Sequence, residues 1–395
     1  MESKPNQSFD LVIAGGGMAG GRLLQELAQQ NWPGRIAWIS AESTPGYNRV
    51  LLPELLAGSC GRDELLETPA GLDLTLFSEH LLASFDADRH EVLLDKGSVL
   101  KYQNLVLATG ASPRRPDLPG ATLPGAGVLR TLDDVERLSE LGPQDSVVVV
   151  GGGLLGLEAA TALHARGTSV TVLHRHPQLL NRNLDLRGAE ILRSLLRKRG
   201  IEVLCGCQPI ELTQTKKGLS LTTDSGAILN ATEVLFAVGT EPRSSYHSSP
   251  SGVPVDSLLQ TSEEGVYAMG ECALVDGVRY GQVDAVFAQA RAIADQFCGS
   301  PGLFVPPMQV TRLKVPGFDL LSLGDLSAQT AEDSSLVCIE DSTRGVYRAL
   351  RLVENRLSSA VLLGDVQGSV AIQQRLDTTL SSEDRELLLF GLEAA

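Results

Sequence analysis

The sequence predicts an α/β fold, and three observations predict it. Two apolar, β-branched runs each end in a glycine triplet that opens a helical pattern. Each unit then continues into a further apolar run. The two units lie far apart, with a proline-rich connector between them. The first unit is Phe9 to Ala14, then Gly15-Gly16-Gly17, then Met18 to Gln30 with Leu23, Leu24, Leu27 and Ala28 on one face. The second is Ser146 to Val150, then Gly151-Gly152-Gly153, then Leu154 to Ala165. A parallel strand buried on both sides reads as such a continuous run, and its crossover helix reads as an amphipathic stripe. Arg35 to Ser40 and Ser169 to His174 supply the next strands, which gives two βαβ openings.

A chain of 395 residues exceeds what one core usually serves, so several domains are expected. Ser112-Pro113-Arg114-Arg115-Pro116-Asp117-Leu118-Pro119-Gly120 has the composition of a connector. Gly239-Thr240-Glu241-Pro242 marks a second boundary, and Ser300-Pro301-Gly302 with Pro306-Pro307 a third. From about Val310 the tail alternates short apolar runs with turns, as in Leu336 to Ile339, Tyr347 to Leu352 and Leu357 to Leu363. It ends in a helix capped by Ser381 or Ser382, with acids in its first turn. This tail reads as a small C-terminal α/β domain.

Composition narrows the function classes. Apolar residues make up 43% and charged residues 21%, too apolar for disorder. No stretch approaches the ~20 apolar residues of a membrane span. The polar start, Met1 to Asp10, leaves no room for a signal peptide, so no membrane association and a cytoplasmic location are the default. A net charge of −15 argues against nucleic acid as a partner, and an acidic redox partner would require a local basic patch.

The six cysteines, at 60, 205, 207, 272, 298 and 338, are expected to be free thiols. Cys205-Gly206-Cys207 follows an expected strand, Ile201 to Leu204, but no second pair or Cys/His cluster completes a metal set. His80, His90, His164, His174, His176 and His247 show no ligand spacing either, so no metal is expected.

Gly15-x-Gly17-x-x-Gly20 follows a strand and opens a helix. The first glycine permits the tight turn, the second lets backbone approach a pyrophosphate, and the third lets helix and strand pack closely. The helix N-terminus adds amide donors and positive dipole, here through Met18 and Ala19. Glu42 lies about 20 residues on, where an acid binds ribose hydroxyls. Gly151-x-Gly153-x-x-Gly156-x-Glu158 repeats the pattern, with Leu154 and Leu155 at the helix start. Its second strand lacks the acid and ends Leu173-His174-Arg175-His176. Cationic groups there accommodate a 2′-phosphate, so the residues lean towards NADPH or mixed use; the alternative is a solvated surface run. Two fingerprints imply two dinucleotides on two Rossmann-like domains. Hydride chemistry with NADH or NADPH requires an acceptor, and FAD is the obvious second dinucleotide.

With these motifs in place, the chain resembles the pyridine-nucleotide flavoprotein oxidoreductases, the superfamily of glutathione reductase and rubredoxin reductase. Leu105-Val106-Leu107-Ala108-Thr109-Gly110-Ala111 is similar to the segment that returns the chain to FAD. Phe236 to Arg243, with Gly239, is similar to its counterpart closing the nicotinamide domain. Val266 to Ala273 resembles the motif whose acid binds the flavin ribityl chain, with Gly270 followed by Glu271 in place of Asp. Gly46 to Leu52, Tyr280 to Val283, Thr311 to Val315, and Tyr347 to Leu350 through Val361 to Asp365 resemble one subgroup, the flavoprotein part of assimilatory NAD(P)H nitrite reductases and nitrate-assimilation electron-transfer subunits. The resemblance implies glutathione-reductase-like FAD and NAD(P) domains. It implies a division into 1–113 (FAD, first part), 114–240 (NAD(P)), 241–304 (FAD, second part) and 305–395 (C-terminal domain).

The resemblance further implies an NAD(P)H-dependent FAD oxidoreductase of electron transport. It would serve a separate protein acceptor: an iron–sulfur, molybdenum or sirohaem reductase component of nitrate assimilation, or rubredoxin. A monomer or homodimer is expected. Arg49 stands where relatives place a basic residue near the flavin, and Glu158 where they contact the nicotinamide ribose or amide; an ordinary surface arginine and a first-turn helix acid are the alternatives. Arg312 and Lys314 are assigned to the flavin edge, the acceptor, or a solvated strand face. The cysteine-rich iron–sulfur and sirohaem regions of nitrite reductases have no counterpart, so nitrite reduction by this chain alone is not expected. Val50, not Cys, stands where disulfide reductases carry their redox pair. Two alternatives remain: a flavin peroxidase or oxidase acting through Cys60, which a fully active Cys60→Ser variant would eliminate, and a non-catalytic nucleotide-sensing flavoprotein.

Overall fold

The computed structural model describes residues 7–66, 70–243, 249–308, 310–315, 318–324 and 334–391. His247 and the Lys314 side chain lie outside the described residues. The chain forms two compact units: 1–51 with 61–113 and 240–307, and 52–60 with 114–239 and 308–395.

In the first unit, Gln7–Ala14 is the central strand of a mainly parallel sheet. It pairs with Arg35–Ser40 on one side and Val99–Leu107 on the other, and Val266–Ala268 pairs in parallel with Leu105–Leu107. Leu11, Val12 and Ile13 are fully buried because the sheet is covered on both faces. The helix Met18–Gln29 presents Leu23, Leu24 and Leu27 to that core and packs beside the helix Val283–Phe297. Each buried leucine contributes about 1.5–3 kcal/mol. Leu82–Asp86 and Glu91–Leu94 form an antiparallel hairpin at the sheet edge.

The second unit repeats the arrangement. Five parallel strands run in the order Glu202–Cys205, Ser169–His174, Ser146–Val150, Glu233–Phe236 and Ala126–Gly127. The helix Leu154–Ala165 connects two of them, and the short helix Leu52–Ala57 packs against it. Pro209–Thr215, Gly218–Thr223 and Ile228–Ala231 add a three-stranded antiparallel meander.

From Val310 onward five strands form an antiparallel sheet in the order Val310–Val315, Phe318–Gly324, Arg356–Leu363, Val346–Val353 and Ser334–Asp341. The helices Ser369–Gln374 and Ser382–Phe390 enclose its core with Ile372, Leu388 and Leu389. Ser381 is the cap: its hydroxyl accepts from the Asp384 amide at 3.0 Å, and Asp384 reaches back to the Ser381 N–H at 3.0 Å. Within this unit the Tyr347 hydroxyl donates to Asp185 at 3.0 Å, tying the C-terminal sheet to the cap of the helix Leu186–Lys198.

Candidate dinucleotide sites

Both glycine triplets stand at the C-terminal ends of central parallel strands, and corresponding glycines have corresponding reasons. Gly15 and Gly151 have φ of +135° and +130°, and a Cβ on either would overlap a backbone oxygen, that of Ala108 or Ala237. Gly20 and Gly156 carry no Cβ because one would overlap the Gly15 or Gly151 carbonyl beneath the helix. Those four positions are explained by the protein's own packing.

The middle glycines are not. Gly17 and Gly153 have ordinary φ values of −85° and −87°. A Cβ at Gly153 would meet nothing within 4 Å, and one at Gly17 only Arg49 Nε at 3.9 Å. Each is the N-cap of its helix, and neither helix has a side-chain cap for its first amides. Open space, bare backbone and uncapped donors fit a pyrophosphate at each place.

In the first unit, the Ser40 hydroxyl donates to the Glu42 carbonyl at 2.8 Å and accepts the Glu42 N–H at 3.1 Å, fixing the turn after the strand. The Glu42 carboxylate accepts the buried Tyr47 hydroxyl at 2.6 Å and is ion-paired to Arg49. The Arg49 guanidinium lies over the Tyr47 ring, 4.8 Å from its centroid. Arg49 is therefore held next to Gly17 and the glycine turn. Trp38 Nε1 donates to the Gly15 carbonyl at 3.0 Å and pins the turn from below.

The Ala108-Thr109-Gly110 segment closes the same end of the sheet. Ala108 N–H donates to Ala14 at 2.8 Å, Thr109 Oγ1 donates to the Arg243 carbonyl at 2.9 Å, and the Gly110 carbonyl accepts the Arg243 N–H at 2.9 Å. Gly270, with φ +76°, faces the helix start: a Cβ there would stand 3.2 Å from Ala19 Cβ. Its N–H donates to Gln289 Oε1 at 2.8 Å, from a fully buried side chain. Glu271 accepts the Thr240 hydroxyl at 3.2 Å. Cys272 is buried and donates to Leu107 and Met269 carbonyls, at 3.3 and 3.2 Å.

In the second unit, His174 occupies the place that Ser40 has in the first, packed on the second glycine of its triplet. Its Nδ1 accepts the Gly152 N–H at 3.0 Å. Burial, then the neighbouring His176, pushes the His174 imidazole below its ordinary pKa. Arg175 is exposed and donates from Nε to His176 Nε2 at 3.2 Å. Glu158 lies in the second turn of its helix, whose first turn carries no acid, so it is not the first-turn dipole acid weighed from the sequence. Gly239 has φ +103° and open space around its Cβ position.

Thus Gly15, Gly17, Met18, Ala19, Gly20, Glu42, Arg49, Ala108, Gly110, Gly270 and Glu271 gather at one strand end in the first unit. Gly151, Gly153, Leu154, Gly156 and His174 gather in the second. The sequence reading missed Trp38, Tyr47, Thr240 and Gln289. Gln289 did carry a signal, a polar residue on a helix face otherwise lined by Val286, Ala290 and Ile293.

The cysteines offer no comparable site. All six are free, and burial pushes the Cys205, Cys207 and Cys298 thiols up. Among the described residues no group of three or more His, Cys, Asp or Glu side chains could hold a metal. Val50 is exposed, Cys60 is partly exposed, and Arg312 is exposed on its strand. No helix among the described residues is long and apolar enough to cross a membrane.

The family of pyridine nucleotide-disulphide oxidoreductases matches residues 9–292, and the rubredoxin NAD+ reductase C-terminal domain matches 310–379. The chain belongs to the pyridine nucleotide-disulphide oxidoreductase family. Membership implies FAD and NAD(P)H, which the two glycine cradles fit.

Among relatives, the assimilatory nitrate reductase electron transfer subunit of Bacillus subtilis (strain 168) is 31% identical over 95% of this chain and 49% of its own length. A nitric oxide reductase FlRd-NAD(+) reductase of Salmonella gallinarum is 29% identical over 90% of this chain and 98% of its own. The ferredoxin reductase for the CYP199A2 system from Rhodopseudomonas palustris superposes with a TM-score of 0.85, at 26% identity over 96% of each chain. The chain spans about half the length of the first three curated relatives it matches.

Proposed function

We propose that this protein takes hydride from NAD(P)H onto FAD and passes the electrons to a separate protein acceptor, without a redox-active disulfide. The observation that carries the reading is the pair of open middle glycines, Gly17 and Gly153, each at an uncapped helix start. When bound, FAD supplies a two-electron acceptor that can release electrons one at a time.

The protein's own contribution is placement and charge. Gly15, Gly17 and Gly20 bring the first amides of the helix Met18–Gln29 to the FAD pyrophosphate, and Glu42 takes the adenosine ribose. Arg49, held by Glu42 beside Gly17, neutralises the diphosphate. Glu271, steadied by Thr240, holds the ribityl chain, and Thr109-Gly110 closes over the same end. Gly151, Gly153 and Gly156 with Leu154 and Leu155 hold the NAD(P)H pyrophosphate, and Glu158 and Gly239 line the nicotinamide side. No side chain is needed as proton donor or nucleophile for the hydride step.

The acceptor class follows from the relatives. Their names place them in nitrate and nitrite reduction, with flavorubredoxin, and with ferredoxin. We therefore assign a small iron–sulfur protein or a nitrate- or nitrite-reductase component as acceptor, in a soluble cytoplasmic system.

The test is anaerobic stopped-flow absorbance of the flavin-loaded protein mixed with NADH and, separately, NADPH. Rapid loss of the flavin band with either nucleotide is expected. A flavin that stays oxidised with both would sink the oxidoreductase reading and favour a nucleotide sensor.

A further inference from the structure

Leu180 stands in the left-handed region, with φ +46°, and its side chain is buried. Its N–H donates to the Gly152 carbonyl at 3.0 Å. In the first unit the corresponding bond, to the Gly16 carbonyl, comes at 2.8 Å from Gly46, a glycine with φ +76°. A residue with a Cβ keeps this conformation only where its surroundings over-determine it. We infer that the C-terminal sheet supplies that constraint: Tyr347, acting through Asp185, is a positioning residue for the nicotinamide nucleotide. The inference rests on the second cradle being the nicotinamide site.

Gly152 is the link between Leu180 and the ligand. Its N–H is taken by His174 and its carbonyl by Leu180, and a Cβ on it would overlap Leu179 Cδ2. The peptide between Gly152 and Gly153 is planar and trans, so fixing the carbonyl aims the Gly153 N–H the opposite way. Gly153 is the N-cap of the helix Leu154–Ala165, where the uncapped donors begin. If Leu180 relaxed, the Gly152 carbonyl would be released, and a bound pyrophosphate would have to reorder the turn at a cost in affinity.

The loop is held from its far end. The Leu180 carbonyl accepts the Asn183 and Leu184 N–H groups at 2.7 and 2.9 Å, so the turn moves with the residues that follow it. Asn183 Nδ2 donates to Thr311 Oγ1 at 3.1 Å, Asp185 accepts the Tyr347 hydroxyl at 3.0 Å, and Arg187 donates twice to Glu340, at 2.7 and 2.6 Å. Asn183, Asp185 and Arg187 thus each meet a different strand of the C-terminal sheet.

The middle tie is the strong one. Tyr347 and Asp185 are both buried, whereas Arg187 is half exposed. The second Asp185 oxygen accepts the Gly188 N–H at 2.9 Å, so the carboxylate caps its helix while it holds the phenol. A Cβ on Gly188 would stand 3.3 Å from the Tyr347 ring, which packs against that first turn. Burial, then the Asp185 carboxylate, pushes the Tyr347 phenol above its ordinary pKa, so it stays a donor. A buried hydrogen bond to a charged acceptor outweighs an ion pair that water screens.

The experiment is calorimetric titration of the flavin-loaded protein, wild type and variants, with NAD+ and, separately, NADP+. For whichever nucleotide the wild type binds tighter, Tyr347→Phe should weaken binding about fivefold while flavin content stays the same. Hydrogen exchange at the Leu180 amide should quicken in the same variant. Asn183→Ala cuts the tie to Thr311 and spares the buried pair. It should weaken binding about threefold, and it carries the test if Tyr347→Phe does not fold. Glu340→Gln should leave affinity unchanged, because its pair with Arg187 lies beyond the Asp185 cap. Wild-type affinity in both Tyr347→Phe and Asn183→Ala, unchanged exchange at Leu180, or equal losses in all the variants would each overturn the inference. Flavin bleaching separates the two readings. Normal bleaching of the wild type with unchanged affinity in the variants sinks only this inference, whereas weakened binding in Tyr347→Phe with no bleaching of the wild type sinks only the proposed reaction.

Discussion

Gln289 Oε1 accepts the Gly270 N–H at 2.8 Å, across from one buried helix face to the turn that carries Glu271. Gly270 lies in the left-handed region, so this bond fixes a turn that would otherwise sample other conformations. Gln289→Leu leaves a buried amide unpaired, at a cost of about 1–3 kcal/mol. The variant should purify with less flavin and bind FAD roughly tenfold more weakly. Flavin absorbance per protein, with equilibrium dialysis, reads both. Wild-type flavin content in the leucine variant would show that the turn holds without Gln289.

The glycines of the second cradle should separate by role. Gly153→Ala places a methyl in open space at φ −87°, so the fold should keep its stability within about 0.5 kcal/mol. Its methyl occupies the approach path of the pyrophosphate, so nicotinamide-nucleotide affinity should fall tenfold or so, while FAD stays bound. Gly156→Ala drives a methyl into the Gly151 carbonyl and should destabilise the fold itself by about 1–3 kcal/mol. Urea unfolding and nucleotide titration of both variants distinguish the cases. Equal losses of stability would remove the argument that Gly153 is kept for a ligand.

Much of this was legible in the sequence because buried parallel strands announce themselves. Phe9 to Ala14 and Ser146 to Val150 are continuous apolar runs, and each helix after its glycine triplet begins where the pattern changes. The meander Pro209–Ala231 was silent. Its strands are short and mostly solvent-facing, with Leu212, Leu219 and Leu221 supplying the buried face, and threonines between them read equally well as loop. The candidate site was legible in the glycine pattern, both where packing excludes a Cβ, as at Gly15 and Gly20, and where it does not, as at Gly17 and Gly153. It was illegible where a single side chain acts over a long sequence separation, as Gln289 does on Gly270 and Thr240 on Glu271. His174 was visible as a missing acid, but its bond to Gly152 depends on the strand and the glycine turn being brought together.

That bond makes the second cradle sensitive to acid. Burial and His176 hold the His174 pKa below its ordinary 6.5, so the unfolded chain binds the proton more readily than the folded one. Stability from this group is fully present above pH 6.5 and is lost as pH falls below it, towards the lower folded value. Protonated His174 cannot accept the Gly152 N–H. His174→Asn offers a non-titrating acceptor in its place. Thermal unfolding between about pH 5 and 7.5 should show a steeper decline in the wild type than in His174→Asn. Parallel curves would mean that His174 does not couple protonation to this turn.

In the C-terminal module Arg348 carries a buried charge. Its side chain is 2% exposed, and its guanidinium donates to the Gln367 carbonyl at 2.6 Å and the Leu388 carbonyl at 3.1 Å. One charged group thus satisfies the end of the helix Ser382–Phe390 and the turn before Ser369–Gln374, with the exposed carboxylate of Asp365 3.6 Å away. Burial lowers the Arg348 pKa, yet the group remains a cation because arginine starts so high. Arg348→Met fills much of the volume but leaves the Gln367 carbonyl without its donor, whereas the Leu388 carbonyl keeps the Gly391 N–H at 3.3 Å. An unpaired buried acceptor costs about 1–3 kcal/mol, partly offset by removing a desolvated charge, so a net loss of about 1–2 kcal/mol is expected. Urea unfolding followed by tryptophan-independent circular dichroism measures it. A methionine variant as stable as the wild type would show that burying the cation costs as much as its two hydrogen bonds return.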